Sequence, residues 1–208
     1  MMRAALFMSP FSNELENISR MEAILNGNWR ARLLANSLWE FYRYRIYCTL
    51  RDANTDSGRI RMLGVTGSTQ ISNLGFCISI PDDDRKADAL VHELLQANLI
   101  PLGYPRFWLN HDRESQPFCR GAGIINLADH KVMMPVFSAL GYSEARLLRE
   151  SRKLNEFEEQ VNTSLEDVKE SLQQPNAYRQ HVENCFSEHG ISFELLDRTA
   201  ILRDLGVC

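Results

Sequence analysis

Residues 91–98 read Val-His-Glu-Leu-Leu-Gln-Ala-Asn. In a helix, at about 100° per residue, His92 and Gln96 stand one turn apart on the same side, where both side chains can reach one ion. Glu93 lies one step round and can reach a water held by that ion. Two ligands from one turn and a carboxylate to take a proton are the parts that metal-assisted hydrolysis requires. Position 96 departs from the strongest form of that pattern. Gln offers a neutral amide oxygen where zinc prefers imidazole, thiolate or carboxylate.

A third ligand must come from elsewhere, and "GAGIINLADHKVMMPVFSALGY" is the best source. Leu127, His130, Met134 and Phe137 follow i, i+3, i+7, i+10, so His130 falls on the apolar stripe of a helix and points inward. A buried imidazole needs a partner for each ring nitrogen, which a metal and a second-shell acceptor would supply. A hydrogen-bonded core histidine satisfies the same requirement without metal. Asp129 is about 100° away and suits an orienting or solvent-facing role.

Weaker constellations stand beside this one. His111, midway between His92 and His130, can replace Gln96 as a ligand, although a loop histidine is usually solvated. His181, Cys185 and His189 share one side of a helix at i, i+4, i+8, a spacing that also permits metal binding. Glycine-containing "GVTGSTQISNLG" lacks the GK[ST] ending of a phosphate-binding loop, which excludes nucleotide binding there. Five cysteines at scattered positions form no CxxC pair, and no local nucleophile signature accompanies them. They read as reduced thiols of a cytoplasmic protein.

The elements that must position these residues follow from periodicity. Helices are expected over 12–26 and 28–41, the second carrying Trp29, Leu33, Leu34 and Leu38 inward. Alternation from Tyr42 to Arg51 predicts a strand, "DANTDSG" a turn and "RIRML" its hairpin partner. A loop over 64–75 leads to a strand at 76–80, which would accept an extended peptide if it lay at a sheet edge. Asp82, Asp83 and Asp84 then supply caps and negative charge to the start of the helix bearing His92. A loop from Pro101 to Gly123 precedes a helix over 125–140, interrupted by Pro135.

From Ser143 a long amphipathic stretch repeats Leu147, Leu154, Val161 and Val168 every seven residues, and Thr163 to Glu166 spells a capping box that would divide it. Packing on its own domain is favoured over a coiled-coil or homo-oligomeric surface through these C-terminal helices. A helix over 177–189, a strand "ISFEL" and a terminal helical turn complete the order. The expected architecture is α+β, a small mixed sheet packed against a central helix bearing the His-Glu pair, with a helical C-terminal region. A single domain spans 1–208, its core at 1–142 and its mainly helical region at 143–208.

Composition narrows the partners. The 208 residues are 44% hydrophobic and 24% charged, which is enough to bury a core. A net charge of −4 argues against nucleic acid as a general partner. Seven Arg against three acids over 28–63 leave a local anion-binding surface near "FYRYRIY" open. The five-residue apolar run in "MMRAALFMSPF" is too short for a signal peptide core, and no later run reaches a membrane span.

Strand "FCISIP", helix "ALVHELLQANL" and a later ligand-bearing helix resemble the zincin-like metallopeptidases of gluzincin type, over roughly residues 76 to 140. The resemblance implies that His92 and His130 bind zinc, that Gln96 stands at the second ligand position of HExxH, and that Glu93 is the general base. It further implies a zinc-dependent hydrolase acting on a peptide or protein substrate. Two departures bear on that implication: HExxQ replaces HExxH, and Glu, the usual third ligand of gluzincins, is absent from 125–140. The alternative is a zincin-like fold that has lost catalysis and serves as a protein-binding or regulatory module.

Overall fold

The computed structural model describes residues 14–42, 46–51, 68–72, 75–147 and 154–204. Helix α1 (Glu14–Ile24) ends in a turn where Gly27 takes φ 87°, a left-handed conformation that suits glycine. Asn28 then caps α2 (Trp29–Phe41) by accepting the Ala31 amide at 3.0 Å. Its Nδ2 donates to the Leu140 carbonyl at 2.7 Å and ties this turn to a distant helix end. The buried face of α2 is Ala31, Ala35, Leu38 and Trp39, whereas Trp29 and Leu33 are exposed. The expected stripe is thus rotated, and small alanines at the contact let neighbouring elements approach closely.

Tyr42 closes α2 instead of opening a strand, and its buried hydroxyl donates to the Ala97 carbonyl at 2.7 Å. Strand β1 (Ile46–Arg51) pairs in parallel with β3 (Gly75–Pro81), and β2 (Ser68–Ser72) pairs with β3 antiparallel, giving the order β1-β3-β2. The expected turn at 52–58 and return strand at 59–63 lie outside the described residues. Residues 68–72, expected as loop, are the antiparallel partner of β3. Their polar sequence hides strand character, which backbone pairing with β3 supplies.

β3 is central and hydrogen-bonded on both sides, so it offers no edge to a peptide, contrary to the expectation for 76–80. The outer edge of β1 is covered by α1. Asn17 accepts the Cys48 amide at 2.8 Å and donates to the Ile46 carbonyl at 2.6 Å, and Arg20 reaches the Cys48 carbonyl. A helix side chain here takes the hydrogen bonds that a fourth strand would make.

Pro81 leads into α3 (Lys86–Asn98). Asp83 accepts the Arg85 amide at 2.8 Å and binds the Arg85 guanidinium, fixing the entry turn. Asp88 to Leu95 and Ala97 are all buried, which makes α3 the central helix. It packs on β3, α1 and α2 and on α4 (Gln116–Ala139).

The stretch expected as loop between 101 and 123 contains β4 (Arg106–Leu109) and the first turns of α4. Four residues are too short to show a period, and glycines at 121 and 123 disguise the helix. Gly121 lets Leu109 approach the helix, because a Cβ there would stand 2.9 Å from both Leu109 methyls and push that side chain aside. Ser115 caps α4 with Pro117 in its first turn, and Pro135 sits inside without ending it.

The long C-terminal helix is not continuous. α5 (Glu144–Leu147) and α6 (Glu156–Asp167) are followed by a 3-10 turn (Ser171–Gln173), α7 (Pro175–Glu188), β5 (Phe193–Leu196) and α8 (Arg198–Asp204). The capping box is Asn155 with Glu158, not Thr163 with Glu166; Thr163 lies mid-helix and donates to the Glu159 carbonyl. β5 pairs antiparallel with β4.

Two apolar clusters result. One joins α1, α2, β1, β3, most of α3 and the C-terminal part of α4; the other joins β4, the N-terminal part of α4, α6 and α7. Leu147 is buried in the first and Val161 in the second, with Val168 packed against it, so these heptad positions pack on their own chain. The architecture is α+β, with the mixed sheet against the central helix and a helical C-terminal region. No helix among the described residues is long and apolar enough to cross a membrane.

Candidate functional site

α3 and α4 each carry one histidine to their contact. The Nε2 atoms of His92 and His130 stand 2.9 Å apart, with ring planes at 86°. On the other side of His92, Nδ1 meets Glu93 Oε1 at 3.1 Å. His92 is 8% exposed and Glu93 2%.

Glu93 lies against Nδ1 of His92 and His130 against its Nε2, so the three side chains form a chain from His130 through His92 to Glu93. Burial, then the His92 ring and then Lys131, push the His130 pKa down to about 3, so its imidazole is neutral at pH 7.

A second polar network lies beside the first. Asp129 is 3% exposed and accepts the Tyr178 hydroxyl from α7 at 2.6 Å and Arg106 Nη1 from β4 at 3.0 Å. Arg106 Nη2 donates to the Gln96 carbonyl at 2.5 Å. Asp129 is therefore an interior anchor, and the solvent-facing alternative is excluded. The carboxylate raises the Tyr178 pKa further after burial has already raised it. Arg106 and Tyr178 were not singled out by sequence. Their only signal is that a buried Asp beside an inward His must find a cation or donors somewhere.

The remaining candidates do not join this centre. His111 accepts the Ser192 amide through Nε2 at 2.8 Å, at the end of the β4–β5 pair. His181 meets Ser171, His189 packs its ring on Phe157, and Cys185 is buried. Gln96 is half-buried one turn beyond His92, and its backbone carbonyl is the group that Arg106 holds.

A tetrahedral zinc at ~2.1 Å from each ligand separates two ligand nitrogens by roughly 3.4 Å. The pair at 2.9 Å is at hydrogen-bond distance, and its donors number two. Among the described residues no group of three His, Cys, Asp or Glu could hold a metal ion. Glu93 faces His92 Nδ1 and not the Nε2 side, where a metal-bound water would sit. Two imidazoles thus meet through Nε2, and the Glu93 carboxylate lies on the Nδ1 side of His92. No protein-family model, curated protein or solved structure matches the chain.

Proposed function

We propose that the protein is a non-hydrolytic binding module built on a zincin-like arrangement of α3 and α4. The direction of Glu93 supports this reading most. Its carboxylate is engaged with His92 Nδ1, so it orients a ring instead of standing ready to take a proton from a nucleophilic water. His130–His92–Glu93 then acts as a polar joint locking α3 to α4, with Gln96 in place of the second imidazole of HExxH.

A second reading, a zinc-dependent peptidase, is favoured by one observation: two imidazoles from neighbouring helices converge through Nε2. Gln96→His separates the two. Under the peptidase reading the substitution adds an imidazole at i+4 from His92, so zinc affinity, measured by competition with a chromophoric chelator, should rise at least about tenfold, whereas a closed polar joint leaves it at the parent's. Peptide hydrolysis should stay at background in parent and variant alike, because Glu93 remains on His92. Parental hydrolysis of a peptide library that is abolished by chelator and by Glu93→Gln would overturn the proposal.

A further inference from the structure

A cavity of about 200 Å³ opens between the β4–β5 ribbon and the two C-terminal helices α7 and α8. Three arginines line it, Arg106 from β4, Arg179 from α7 and Arg198 from α8, and its lining contains no Asp or Glu. Tyr104, Ile100 and Ile201 add an apolar wall. From these we propose that the cavity binds a small phosphomonoester, the phosphoryl group among the guanidiniums and the organic part against the apolar wall.

The guanidiniums are available for this. Arg106 spends one N–H on Asp129 and one on the Gln96 carbonyl, and a guanidinium has five. That anchoring also fixes its plane. Arg179 pairs with Glu183 at 2.8 Å on the helix surface, an i,i+4 contact of small worth that a dianion at close range can outcompete. Arg198 is exposed and donates to the Pro101 carbonyl at 3.1 Å. Three arginines from separate elements line one cavity, and guanidinium forks match the three terminal oxygens of a phosphoryl group better than the two of a carboxylate. The volume admits a phosphoryl group with a ring-sized substituent and not a folded partner. The three arginines come from segments far apart in the chain, which explains why no phosphate motif is visible in the sequence.

This inference goes beyond the binding-module reading and stands apart from it. Titration calorimetry of the full chain with phenyl phosphate, inorganic phosphate and benzoate tests it. Phenyl phosphate should bind saturably at one site, at least about tenfold more tightly than benzoate, and be recovered unhydrolysed. Inorganic phosphate should compete more weakly, lacking the apolar contact. Arg198→Gln and Arg179→Gln, both at solvent-facing positions, should each weaken binding about tenfold or more with the melting temperature unchanged. Glu183→Gln, which releases Arg179, should tighten it. Absence of saturable binding, or arginine variants that bind as the parent does, would overturn the assignment while leaving the module reading intact. Chelator-sensitive peptide hydrolysis would instead remove the module reading, whatever the cavity binds.

Discussion

Asp129→Ala is expected to destabilise the protein by about 3–5 kcal/mol, because it leaves a buried tyrosine hydroxyl and a partly buried arginine without their acceptor. Arg106 is 16% exposed on its side chain, and Asp129 4%. The same carboxylate receives the Tyr178 hydroxyl, which is fully buried with its ring against Tyr104. Removal therefore strands two donors at the junction of β4, α4 and α7. Urea denaturation gives the loss directly. Asp129→Asn, which keeps an acceptor for Tyr178, should fall between alanine and the parent. The double variant Asp129→Leu, Arg106→Met should recover part of the loss, since two apolar groups need no partners. An alanine variant within about 1 kcal/mol of the parent would mean that the network contributes little.

Acid should weaken the fold through His130 well before the carboxylates titrate. The ordinary imidazole value is 6.5, and burial with the neighbouring His92 ring lowers it to about 3 in the folded chain. The unfolded chain thus takes up a proton below 6.5 that folded His130 refuses. The stability that the neutral ring carries is whole above pH 6.5 and is lost as pH falls from there toward 3. Its slope is about 1.4 kcal/mol per pH unit. Comparing the parent with His130→Gln between pH 6.5 and 5 isolates this contribution, since most carboxylates stay charged over that range. The variant should show a flatter profile. Parallel profiles would place His130 in water and dissolve the polar joint.

Much of the frame was legible because burial leaves a period. The helices containing Leu15 to Leu25, Leu90 to Ala97 and Tyr178 to Phe186 follow from spacing alone, and so does the inward direction of His130. Where local signals misled, tertiary contacts decided. Residues 68–72 became a strand because β3 had an open side. Gly121 looked like loop but admits Leu109 into the helix contact. The true capping box sits at Asn155, where the chain enters α6, and not at Thr163.

The site was legible in its members and not in its bonds. His92 and His130 converge as their helical positions imply, yet the side-chain torsion of Glu93 turns its carboxylate behind His92. No spacing rule carries that torsion. Arg106 and Tyr178 were invisible for a related reason. Their partner Asp129 lies 23 and 49 residues away in sequence, on an element whose packing only the fold decides.

The most direct test is the zinc content of the protein purified without added metal or chelator, with its melting temperature taken before and after chelation. A metal-free polar joint predicts far less than one zinc per chain and the same melting temperature in both conditions. One zinc per chain, with a fall in melting temperature on chelation that His92→Ala reproduces, would contradict it and return the chain to the zinc hydrolases.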